Sequence, residues 1–227
     1  MRFRNVGWLV LLAVVVCASA APAAVKLPSV IGDNMVLQRG EAVPIWGWDD
    51  PGTKVTVTIG ETKVTATACE KGKWSVKLPA MTEGGPHTMT VAGTNTVTVN
   101  NILVGEVWLC SGQSNMEWPV AASNNPQEEI AAANYPNIRH IKIPHVPMDK
   151  PQEDVASGGW QVCSPQNIGG CTAVGYFFAR YLQQQLNVPV GIIGSNWGGT
   201  RIEPWTPPVG LQQVPALKEI ADNLDKF

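Results

Sequence analysis

Between residues 25 and 100, apolar and polar residues alternate with a period of two. Val55 to Ile59, Lys63 to Ala68, Trp74 to Leu78, His87 to Val91 and Thr96 to Val99 each read as a half-buried strand. Met35 to Gln38 and Val43 to Trp48 add two more. Turn sequences separate the strands: Asp50-Pro51-Gly52, Lys71-Gly72-Lys73 and Glu83-Gly84-Gly85-Pro86. Short strands at this spacing predict an all-β sandwich over 21–100. It offers no cluster of catalytic residue types, so it reads as an accessory module.

The pattern changes near Asn101. Ile102 to Cys110 is nearly continuous apolar sequence, which predicts a strand buried on both faces. Ile138 to Ile143 and Val190 to Ile193 are two further short strands. Ala173 to Leu186 has helical spacing, with Val174, Phe177, Phe178, Tyr181, Leu182 and Leu186 on one face and Asn187 as a stop. Leu211 to Leu224 predicts a second amphipathic helix. Strands alternating with helices imply a parallel sheet with helices on its faces. The fold class is therefore α/β: an N-terminal sandwich, then a three-layer domain over 101–227. Only three parallel strands are counted, where a flavodoxin-like order has five, so that domain reads as incomplete and truncated at its C-terminal end.

The first 20 residues read as a signal peptide. Arg2 and Arg4 precede an apolar run from Trp8 to Val16, and Ala18-Ser19-Ala20 suits cleavage. The run is too short to span a bilayer comfortably, which leaves a secreted or periplasmic protein with no membrane attachment after cleavage. Removing it takes the net charge from −2 to −4, because two arginines and no acids leave. No basic block suggests nucleic acid. Of the remaining cysteines, Cys163 and Cys171 are close enough in sequence to bridge a loop, while Cys69 and Cys110 leave other pairings open. Cys110, inside an apolar strand, reads as a buried free thiol. No ligand spacing for a metal is present. Nine tryptophans are a high number for 227 residues; exposed ones would suit stacking on sugar rings, and the remainder fill cores.

Two polar, glycine-containing turns follow two of the buried strands: Ser111-Gly112-Gln113-Ser114-Asn115 and Ser195-Asn196-Trp197-Gly198-Gly199-Thr200. Parallel strands put both turns at the carboxyl edge, where open α/β sheets bind ligands. Ser114 has the position of a nucleophile lifted clear of the sheet, though the motif is not G-x-S-x-G and, taken alone, is better explained as a polar turn capping a helix. A serine nucleophile needs a base. His87 lies in the sandwich and His140 inside a strand. His145, just past that strand, is the only internal candidate, and its other reading is a structural loop residue.

Taken together, several ordered blocks resemble the sialate O-acetylesterases of the SGNH hydrolase superfamily. They are Asp33 to Arg39, Gly105 to Trp118, Ala173 to Arg180, and Pro189 to Ile193 leading to Trp197-Gly198-Gly199-Thr200. The resemblance implies a secreted carbohydrate esterase that removes O-acetyl groups through an acyl-enzyme, without metal or organic cofactor. It implies Ser114 as nucleophile, with the backbone N–H groups of Ser114 and Gly198 holding the oxyanion and Gly199 the next candidate. Gln113, Asn115, Trp197 and Arg201 become candidate substrate contacts, with Glu203 beside them. The family's later Gln-Gly-Glu block and its C-terminal Asp-x-His are not in these 227 residues. The expectation is an N-terminal part of a longer enzyme, weak or inactive alone. The competing reading is a secreted carbohydrate-binding protein without catalysis. Residue types do not choose between acetylated sialic acid and acetylated xylan as partner, nor set the oligomeric state.

Overall fold

The computed structural model describes residues 24–148 and 150–223. The signal-peptide reading therefore lies outside the described residues. Six strands come first: β1 (Val36–Gln38), β2 (Val43–Trp48), β3 (Lys54–Ile59), β4 (Thr62–Thr67), β5 (Lys73–Leu78) and β6 (Gly84–Ala92). Strand β7 then runs unbroken from Thr96 to Gly112. Beyond it lie helices α1 (Ser114–Glu117) and α2 (Pro126–Ala132), strands β8 (Tyr135–Lys142) and β9 (Gln161–Cys163), helix α3 (Ala173–Leu186) and strand β10 (Val190–Asn196).

The main sheet has the order β4-β3-β6-β7-β10-β8-β9, with β1 also on β7. Its first half is antiparallel. A two-stranded ribbon, β2 with β5, lies apart from it, and between them sits a core that includes Ile45, Val55, Val57, Trp74, Leu78, Met89 and Val91. The alternation seen in sequence is the alternation of this packing: Trp74, Val76 and Leu78 are buried while Lys73, Ser75 and Lys77 are exposed. The second half is parallel, β7-β10-β8, with β9 antiparallel to β8.

Strand β7 joins the two halves. Residues from Thr96 to Val104 pair with β6, and Glu106 to Gly112 pair with β10. The polar Asn100-Asn101 pair does not interrupt it, although Asn101 takes a φ of +56°. Gly105 marks the changeover. A Cβ there would collide with the carbonyl of Pro189, which accepts the Glu106 N–H at 2.9 Å.

Three expectations are corrected here. The parallel half of β7 is not buried on both faces: Trp108 and Leu109 are 43% and 64% exposed. Trp108 packs edge-on against Phe178, ring centroids 5.0 Å apart. The α3 face read as core is partly solvent-facing, with Val174, Phe178, Tyr181 and Leu186 exposed. The sheet instead meets Ala173, Gly175, Tyr176 and Ala179. Small residues let the helix close on the strands, and a Cβ on Gly175 would lie 2.9 Å from Cys110 Sγ. Finally, residues 211–223 form no single helix. Short segments at Pro208–Gln212 and Lys218–Ala221 flank a 3₁₀ turn at Pro215–Leu217, because Pro215 has no N–H to continue the ladder. The bounds of α3 itself match the sequence reading. Thr172 Oγ1 caps it by accepting the Gly175 N–H at 3.2 Å, and Asn187 ends it in the left-handed conformation.

Candidate active site

Parallel pairing brings the two glycine turns together. Asn196 is paired with Gly112, and the ladder extends one bond further, from Trp197 N–H to the Gly112 carbonyl at 3.0 Å. Gly112 has a φ of +143°, which favours glycine and turns the chain sharply at the strand end. Ser114 follows at once as the first residue of α1. A Cβ on Gly198 would lie 3.4 Å from Ser114 Cα and 3.5 Å from its Cβ. The second turn therefore rests directly on the serine.

Ser114 is exposed. Among the described residues its Oγ makes no hydrogen bond, and its backbone N–H has no acceptor. Opening a helix leaves that N–H unpaired, and it stays available to a ligand.

The Gly198 N–H, expected as an oxyanion donor, is engaged within the chain. It donates to Glu117 Oε2 at 2.5 Å. The N–H of Gly199, a position with φ of +78°, has no acceptor among the described residues.

Glu117 is the residue that sequence reasoning passed over. It lies three positions after Ser114, on the same helical turn. Besides Gly198, its carboxylate meets His145 Nε2 at 3.0 Å and Lys142 Nζ at 3.5 Å. The Gly198 N–H, followed by the charges of Lys142 and His145, holds the Glu117 carboxyl below its ordinary range against a smaller opposing effect of burial. Asn196, 2% exposed, was also missed. Its side chain donates to the Cys110 carbonyl at 3.1 Å and accepts from Lys142 at 2.5 Å. One hint was present in the sequence: a carboxylate one turn from the serine.

His145 reaches this edge as expected. Its Nε2 lies 2.8 Å from the Asn196 carbonyl, and its ring stacks on Trp197 at 4.5 Å with 5° between planes. Both Nε2 partners are acceptors, so that nitrogen carries a proton. His140 is 8% exposed in β8 and meets Asn167 Oδ1 at 3.1 Å; burial pushes its pKa down. Among the described residues no histidine hydrogen-bonds Ser114.

Gln113 and Arg201 line one cleft of about 310 Å³ with Ser111, Gly112 and Trp205. His145 and Trp197 line a neighbouring one of about 450 Å³, and Trp205 and Thr200 border both. Trp205 Nε1 donates to Thr200 Oγ1 at 2.8 Å, and Thr200 Oγ1 donates to the Trp197 carbonyl at 2.7 Å, which fixes the wall between them. Asn115 is exposed on α1 and lines neither cleft. Glu203 sits in a 3₁₀ turn beyond Arg201.

Cys69, Cys110, Cys163 and Cys171 are all free thiols, so Cys163 and Cys171 do not bridge a loop. Among the described residues no group of three or more His, Cys, Asp or Glu could hold a metal ion, and no helix is long and apolar enough to cross a membrane.

No family model matches the chain. It is 35% identical over 201 residues to the sialate O-acetylesterase of Homo sapiens, an alignment covering 80% of this chain and 38% of that protein. The sialate O-acetylesterase of Mus musculus is 33% identical over 218 residues, 87% of this chain and 40% of that one. Among solved structures, a carbohydrate acetylesterase from Xanthomonas citri superposes with a TM-score of 0.81 at 40% identity, covering 83% of this chain and 44% of that chain. The similarity to sialate O-acetylesterases read from the motifs thus holds over most of the chain, and the mixed α/β fold is similar to the matched part of that carbohydrate acetylesterase. The chain spans about two fifths of the length of the curated relatives that it matches.

Proposed function

We propose that this chain carries the nucleophile of a carbohydrate O-acetylesterase, acting on O-acetylated sugars. The observation that carries the reading is the contact between Ser114, an exposed serine with an unpaired hydroxyl and N–H, and the Gly198-Gly199 turn. Ser114 Oγ attacks the acetyl carbonyl carbon, and its proton passes to a base. The sugar oxygen leaves with a proton, and water then releases acetate from the acetyl-serine. The Ser114 N–H faces the developing oxyanion. Gly199 is the second donor in this reading, since the Gly198 N–H serves Glu117. Gln113 and Arg201 contact the sugar from the first cleft and Trp197 from the second, while Asn115 acts only from outside both. No metal or organic cofactor takes part.

Deprotonation of Ser114 is the step the described residues do not provide. A catalytic serine without its base loses orders of magnitude in rate, so the isolated chain is weak or inactive. The test is two measurements on the purified chain. A fluorophosphonate probe labels Ser114 slowly, and Ser114→Ala abolishes labelling; p-nitrophenyl acetate is turned over barely above the background of the Ala variant. Labelling elsewhere, or labelling unaffected by Ser114→Ala, removes Ser114 from the mechanism.

A second reading has one observation in its favour: His145 is paired with the Glu117 carboxylate, as a catalytic base is with its orienting acid. Efficient, Ser114-dependent ester hydrolysis that disappears in His145→Gln would establish it. The exported location rests on residues 1–20, and N-terminal sequencing of secreted protein that begins near Ala21 supports it.

A further inference from the structure

The tryptophans of the accessory half are not all core residues. On β2 the inward positions are Ile45 and Gly47, both buried; Gly47 lies opposite Trp74, whose ring fills the space a side chain would take. Alternation sends Trp46 and Trp48 to the other face, where Trp46 also touches the edge of the core cluster and Trp48 does not. There β5 presents Lys73 and Ser75, the direct partners of Trp48 and Trp46. A solvated ribbon face is ordinarily polar, and β5 obeys this while β2 does not. Both rings remain partly accessible. Together with the end of β4 they line a cleft of about 620 Å³, larger than either cleft at the serine edge. Lys26 packs over the Trp48 ring at 5.4 Å and holds it in place.

The polar groups of the cleft point to its occupant. Lys73 is ion-paired with Glu153, which reaches in from the loop before β9. The pair supplies hydrogen-bond donors and acceptors with no net charge, and the Ser75 and Thr67 hydroxyls add more. Two indole faces, set about 7 Å apart along a strand, match the apolar C–H face of sugar rings. The surrounding donors and acceptors match the hydroxyl edges. We propose that this cleft is a binding site for a neutral oligosaccharide chain, separate from the Ser114 edge, with which it shares no lining residue.

The proposal stands whether or not Ser114 is a nucleophile, because its test reads binding alone. The purified chain is titrated with xylohexaose as the neutral probe and with sialyllactose as the anionic comparator, following intrinsic tryptophan fluorescence and calorimetric heat. Xylohexaose is expected to bind, with Trp48→Ala and Trp46→Ala each lowering affinity by about tenfold. Trp48→Phe keeps a ring and retains part of the affinity, which separates loss of stacking from loss of fold. Glu61→Ala, at an exposed turn residue outside this cleft and outside the Ser114 edge, leaves binding unchanged. Absence of xylohexaose binding, binding that survives both tryptophan substitutions, or binding of sialyllactose alone overturns the proposal.

Discussion

Glu117→Ala removes one carboxylate and three contacts that come from the ends of two strands, Gly198 after β10 and Lys142 and His145 at the end of β8. The bond from the Gly198 N–H, 2.5 Å long, is the dominant one. A hydrogen bond to a charged group contributes about 1.5–3 kcal/mol when buried. The Glu117 side chain is 30% exposed, which places its value near the lower end. The Lys142 contact is longer, 3.5 Å, and Lys142 is 46% exposed, so screening leaves it a few tenths of a kcal/mol at most. The expected loss is about 1.5–2 kcal/mol in urea unfolding at pH 7. Glu117→Gln keeps an acceptor for the Gly198 N–H and is expected to lose about half as much. The pH dependence carries its own sign. Folding depresses the Glu117 pKa, so its stabilisation is complete above the unfolded value of about 4.3 and is lost as pH falls through the lower folded value. The gap between wild type and Glu117→Ala should therefore close in strong acid. Amide exchange read by NMR provides the local check, with the Gly198 N–H losing protection in the Ala variant. An unfolding midpoint within error of wild type, together with unchanged Gly198 exchange, would refute the clamp.

Other substitutions test the frame around the site. Gly105→Ala forces a methyl group into the Pro189 carbonyl and is expected to cost about 2–4 kcal/mol, or to prevent folding, by parting β7 from the start of β10; circular dichroism with urea titration measures it. Gly198→Ala puts a Cβ 3.0 Å from Glu117 Oε2. It is expected to cost about 1 kcal/mol and to slow fluorophosphonate labelling of Ser114, whereas an unchanged labelling rate would detach the second turn from the serine. Among the four described cysteines, the exposed Cys69 has its thiol pKa lowered by backbone N–H donors. Burial pushes Cys163 up to about 11 and Cys171 up to about 12. At pH 8 Cys69 should react promptly with a disulfide reagent, and Cys110, Cys163 and Cys171 only after unfolding; prompt reaction of Cys171 would contradict its burial.

What could be read from the chain alone divides along physical lines. Strands β3, β4 and β5 were legible because each has one face in a core and one in water, so burial is written as alternation. Helix α3 was legible at both ends because Thr172 and Asn187 are local caps. The continuity of β7 was not legible: Asn100 and Asn101 are strand-breaking in composition, and only pairing with β6 on both sides of them, followed by β10 from Glu106 onward, carries the strand through. The apolar spacing of Leu211, Leu217 and Ile220 suggested one helix, and Pro215 between them is what divides it. At the site, each turn was visible because it directly follows an apolar strand. Lys142 and Asn196 were not, because nothing local marks them, and Glu117 had only its place one turn after Ser114 as a hint. Their roles exist only once β7, β8 and β10 lie in register.

The unbroken course of β7 also bears on how such a protein can be inherited. A module attached through a loose linker can be exchanged between genes by recombination at the linker. Here the residues around 100 lie inside a strand whose first part is laced to β6 and whose later part is laced to β10. A crossover at that point would succeed only if the donor strand kept both registers and the close approach at Gly105. The serine edge and the tryptophan-bearing half are therefore expected to pass from ancestor to descendant as one block, and their surfaces to diversify by point substitution rather than by shuffling.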